Sequence, residues 1–189
     1  MLTYRQVATY QGDQIPFVSG ITDMQAFRIN GGYALYTVTQ IGGGISAYRL
    51  DAADQPMALT GSQAYAPGVS YLDTPVAALV ELNGGASLFG VGLAGGVSGG
   101  VRLGADGGLG GSTTLGQLGA DVTQLGSFQT PLGTFIYSAR NNQASFTISK
   151  LADDGSLSKV DSSSLPWVPG QQGTEIDDMQ VTRDRKSVV

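Results

Sequence analysis

Apolar and polar residues alternate along most of the chain in runs of five to nine, broken by Gly, Asn and Asp, and nowhere do apolar residues recur at helical spacing. That pattern predicts strands and tight turns, so the fold class is all-β. One arrangement repeats three times: an aromatic residue, then thirteen positions on a basic residue followed by Leu. The copies run from Tyr36 to Arg49-Leu50, from Phe89 to Arg102-Leu103 and from Tyr137 to Lys150-Leu151, at offsets of 53 and 48. Between the anchors lie Gly42-Gly43-Gly44, Gly95-Gly96 and Asn141-Asn142. After them come Ala53-Asp54, Asp106-Gly107 and Asp154-Gly155. Both sets are turn chemistry, because Gly, Asn and Asp accept the positive φ of tight hairpins.

Each unit reads as strand, hairpin, strand, turn, strand, and a further strand precedes each core, at 23–29, 75–82 and 121–128. Four-stranded units every 48 to 53 residues match the blade of a β-propeller, in which sheets stack radially around a channel. The expected organisation is an outer strand of a preceding blade at 1–20, blades at 21–72, 73–120 and 121–172, and the start of a further, truncated blade at 173–189. The last assignment rests on Ile176-Asp177-Asp178-Met179-Gln180-Val181, which echoes Ile21-Thr22-Asp23-Met24-Gln25-Ala26. Such a partial ring leaves edges and faces to be covered, by the remaining blades of a longer chain or by another copy. A β-trefoil, also built of three four-stranded units, is the alternative.

Composition narrows the chemistry. With no His and no Cys among 189 residues, disulfides, Cys/His zinc sites, thiolate nucleophiles and imidazole bases are excluded. Ten Lys+Arg against fifteen Asp+Glu is the wrong balance for a phosphate backbone, so nucleic acid is not an expected partner. The charge-free stretch 82–101 has Gly92, Gly96 and Gly100 at small-xxx-small spacing, yet its glycines suit hairpins better than a membrane helix, so no span is expected. No basic segment followed by an apolar run opens the chain, so the expectation is either a cytoplasmic protein or export without an N-terminal signal peptide.

The segments FRINGGYALYTVTQIGGGISAYRLDAADQPMAL and TFIYSARNNQASFTISKLADDGSLSKVD resemble the blades of lactonase-like β-propellers. They are closer still to propeller regions that precede the repeats of hemolysin-type (RTX) calcium-binding proteins of bacteria, with Ile45-Ser46-Ala47-Tyr48-Arg49-Leu50 and Asp154-Gly155-Ser156-Leu157 carrying the likeness. The resemblance implies a large, acidic, secreted protein. The calcium nonapeptide itself is missing: Gly107-Gly108-Leu109-Gly110-Gly111-Ser112 has Ser where the liganding Asp belongs.

Two catalytic-looking motifs do not carry their chemistry. Gly96-Val97-Ser98-Gly99-Gly100 fits a nucleophile elbow, but the chain has no His base and Ser98 falls in a hairpin. Gly90-Val91-Gly92-Leu93-Ala94-Gly95 fits the dinucleotide fingerprint, but the Gly-rich stretch after it cannot start a helix. Most Asp residues fall at turns, where they bond nearby backbone N–H groups. Asp23, Asp73, Asp121 and Asp178 stand apart, each at or just before a blade's first strand. There they either cap the loop entering the blade or converge on a channel mouth to hold Ca²⁺. Trp167, the lone Trp, either bridges two blades or stacks on a bound ligand. The function expected is a non-catalytic propeller scaffold or ligand-binding module, with no ligand named. A lactonase-like hydrolase and a carbohydrate-binding trefoil are the alternatives.

Overall fold

The computed structural model describes residues 6, 8–11, 15–40, 43–52, 55–65, 76–82, 85–91, 99–114, 118, 122–140 and 145–164. Twelve strands fall into three antiparallel four-stranded sheets, each formed in chain order. The first sheet holds β1 (Ile21–Ile29), β2 (Gly32–Thr39), β3 (Gly44–Leu50) and β4 (Ala58–Ala64). The second holds β5 (Val76–Leu82), β6 (Gly85–Val91), β7 (Gly99–Leu103) and β8 (Leu109–Thr114), and the third β9 (Val122–Thr130), β10 (Gly133–Arg140), β11 (Ser145–Leu151) and β12 (Leu157–Ser164). No helix occurs among the described residues, and none is long and apolar enough to cross a membrane. Among the described residues each sheet pairs only its own strands, whereas a trefoil barrel would need hydrogen bonds between units.

The turn chemistry lies where the sequence puts it. Gly43, Gly107 and Gly155 all take positive φ, at 49°, 85° and 84°. In the second and third sheets the turns match bond for bond: Asp106 Oδ1 accepts from Gly108 N–H at 3.0 Å, and Asp154 Oδ1 from Ser156 N–H at 2.8 Å. Bonds from Ser156 hold the Asp154 carboxyl below the ordinary carboxylate range, its hydroxyl contributing most. Bulges recur too. β4 and β12 each carry one unpaired residue, Thr60 and Val160, at the equivalent point of their outer edge. Thr22 and Thr123 are skipped near the start of β1 and β9. A bulge strengthens local twist, which lets flat sheets fan around a common axis.

The sheets stack face to face in chain order. Tyr36, Val38, Ile45 and Ala47 of the first sheet pack on Ala77, Leu88, Val101 and Leu103 of the second. Val76, Ala78 and Val80 of the second pack on Val122, Leu125, Ile136 and Leu151 of the third. The middle inner strand is therefore covered on both faces, and this is why β5 reads as an unbroken apolar run, VAALV, while β1 mixes in polar residues and is buried at alternate positions over most of its length. Residues 8–11 and 15–20 form no strand. They lie across the first sheet's other face, where Tyr10 meets Tyr48 with ring centroids 5.4 Å apart and Ser46 Oγ donates to the Pro16 carbonyl at 2.9 Å.

Candidate functional site

β1, β5 and β9 are the inner strands, and they pack side by side. The same positions of the repeat line up across them, Ala26 with Leu79 and Ser127, and Phe27 with Val80 and Phe128, as their identical pairing to β2, β6 and β10 requires. These two rows, together with Glu81, Ala86 and Gln129, enclose a pocket of about 320 Å³. Glu81 and Gln129 share a third row and are exposed; Phe27 and Phe128 are half-buried. Side chains of the third sheet fasten the pocket wall. Ser127 Oγ donates to the Leu79 carbonyl, and Thr134 Oγ1 to the Glu81 carbonyl at 3.2 Å. The Glu81 backbone is thus tied down while its carboxylate, the one acidic group among the described residues of the pocket lining, is left toward solvent.

On the first-to-second joint the fastening runs the other way. Asp23 Oδ2 accepts from Ala77 N–H at 2.8 Å, Asp23 Oδ1 accepts from Met24 N–H at 2.7 Å, and Gln25 Nε2 donates to the Ala77 carbonyl at 3.0 Å. Both carboxylate oxygens are engaged by backbone donors, so Asp23 acts as a staple between two inner strands. In strand register its counterparts are Val76 and Gln124, while Asp73 and Asp121 precede β5 and β9. Asp73, Asp121, Asp178 and Trp167 lie outside the described residues, as does Ser98. Among the described residues no group of three or more Asp or Glu could hold a metal ion. Gly90 and Val91 end β6, so the G-x-G-x-x-G segment begins on a strand.

The pocket residues carry no local signal in the sequence, apart from Glu81 being one of only two Glu. A long-range signal exists: the 53 and 48 offsets that align the basic anchors also align Ala26, Leu79 and Ser127. At the outer end of the first joint, Tyr36 is buried and its hydroxyl donates to the Gly107 carbonyl at 2.9 Å. Burial, and then the Asp106 carboxylate, push its phenol up to about 12.

No family model and no curated protein sequence matches the chain. Solved structures do. The exo-β-1,3-galactanase of Phanerochaete chrysosporium, a structure with β-1,3-galactotriose, is 13% identical at a TM-score of 0.57 over 78% of this chain and 39% of that one. The periplasmic gluconolactonase of Pseudomonas aeruginosa is 13% identical at 0.51, over 75% and 39%. The α-L-arabinofuranosidase of Lactobacillus brevis is 10% identical at 0.52, over 79% and 55%. Stacked four-stranded sheets whose inner strands converge, with neighbours of this kind, define the class as β-propeller. At such identities the likeness shows the fold alone, and the chain spans about half or less of the length of these structures.

Proposed function

We propose that the chain is a non-catalytic, ligand-binding part of a β-propeller, and that its pocket takes a polyhydroxylated ring, a sugar or sugar lactone. The observation that carries this is the pocket between β1, β5 and β9, where one carboxylate, Glu81, stands with the Gln129 amide near two aromatic residues, Phe27 and Phe128. A carboxylate and an amide serve ring hydroxyls as acceptor and donor, and aromatic surface suits the C–H face of a ring. Hydrolysis of a glycoside ordinarily needs two carboxyl groups flanking the bond, and among the described residues the pocket lining carries one. The neighbours act on sugars or a sugar lactone by name, which supports the ligand class. We extend the proposal to a secreted setting, on the chain's acidity and its likeness to RTX-associated propellers.

Calorimetric titration with β-1,3-galactobiose and with glucono-lactone, in calcium and in chelator, tests this reading. Saturable binding of one ligand, weakened about tenfold or more in Glu81→Gln, is expected, with the ligand recovered intact. Release of galactose or gluconate, abolished by Glu81→Gln, would establish the hydrolase alternative instead.

A further inference from the structure

The third sheet turns a face away from the second that is, position for position, the face the first sheet buries. Phe128, Phe135, Phe146 and Ile148 occupy the places of Phe27, Ala34, Ile45 and Ala47 in the strand pairing. Phe128 and Phe135 stack on it with centroids 5.4 Å apart and planes 13° from parallel. In the first sheet that surface is the core of the joint to the second. Among the described elements the third sheet's main contacts outside itself are with β5, on its other face, although Phe135 is buried and Phe128, Phe146 and Ile148 are half-buried. An apolar, aromatic face of three strands drives association with whatever fits it.

We propose that residues 176–181 of this same chain cover it, as the inner strand of a fourth sheet laid beside β9. Three observations on the chain select this occupant. Ile176-Asp177-Asp178-Met179-Gln180-Val181 repeats the opening of β1. Eleven residues, 165–175, separate it from Ser164, and eleven, 65–75, separate Ala64 from Val76, where the second sheet begins on the first. The remaining candidate, the first sheet of a second copy, has its free face crossed by Tyr10 and Pro16 of its own chain. In the repeat's register Met179 stands where Ala77 and Leu125 do, and both of those are buried against the preceding sheet. Met24, at that position in the first sheet, is 59% exposed. The same register sets Arg183 in the row of Arg28, Glu81 and Gln129 on the inner strands.

The chain has no cysteine, so engineered pairs report on the docking alone. Gln124→Cys with Met179→Cys places thiols where Asp23 and Ala77 meet across the first joint. Asp23→Cys with Ala77→Cys supplies the reference. A short bis-maleimide is expected to link the two engineered thiols at 124 and 179 within one chain, at a yield comparable to the reference. Links between two chains would overturn the proposal in favour of a second copy, and absence of linkage where the reference links would overturn it outright. Hydrogen exchange of the unmodified chain decides independently of any substitution. Amides of 176–181 should exchange at least about tenfold more slowly than in a peptide of residues 173–189, and equal rates would contradict docking.

Discussion

A single glycine shows how little freedom the repeat leaves to its turns. Gly107 sits at φ 85°, and a Cβ there would come within 2.8 Å of the Ala34 Cβ across the sheet joint. Gly107→Ala should therefore cost about 1–3 kcal/mol, while Gly111→Ala, whose Cβ would meet nothing within 4 Å, should stay within about 0.5 kcal/mol of wild type. Urea melts of the two variants check the pair; equal stability would mean the turn does not nest on the first sheet. Tyr36, which bonds the same glycine's carbonyl, gives a pH signature. Its folded pKa of about 12 lies above the unfolded value of 10.0, so its contribution is complete below pH 10 and declines as pH rises from 10 toward 12. Tyr36→Phe should lose about 1 kcal/mol at neutral pH and show a shallower alkaline decline, read from melts across that range.

Among elements, the inner strands are held by side chains reaching across to a neighbour's backbone, in addition to their own ladders. Asp23→Ala removes the acceptor of the Ala77 N–H, and the cost should be about 1–3 kcal/mol, identical in calcium and in chelator. A calcium-dependent cost, seen in thermal melts, would return Asp23 to the role of ligand. These elements also show what the sequence can and cannot reveal. Strand positions and Asp-Gly turns are legible because alternation and positive φ are local properties, as at Asp154-Gly155. Proximity to a strand start and strand register select different partners for Asp23. The pairing to β2 and β10 runs at a constant offset of 101, with the skipped residues Thr22 and Thr123 at equivalent points, so Gln124, three residues after Asp121, takes Asp23's place. The Asn30-Gly31 turn between β1 and β2, with Gly31 at φ 85°, carries a local signal of the same kind as the Asp-Gly turns. The pocket is hidden because its walls come chiefly from three inner strands about fifty residues apart, with Ala86 of β6, and no local pattern registers their convergence.

For the whole molecule, stacking three equivalent sheets has one functional consequence, namely that equivalent positions of three inner strands meet in one place. The binding role of that place is tested by amide chemical shifts during titration with β-1,3-galactobiose or glucono-lactone. Perturbations are expected on all three strands together, at Phe27, at Leu79 to Glu81 and at Ser127 to Gln129. Glu81→Gln should weaken them while leaving the dispersion of the remaining amides intact. Perturbations confined to one sheet or to the outer strands, or none at ligand concentrations of about 10 mM, well above the weakest affinities of interest, would contradict it.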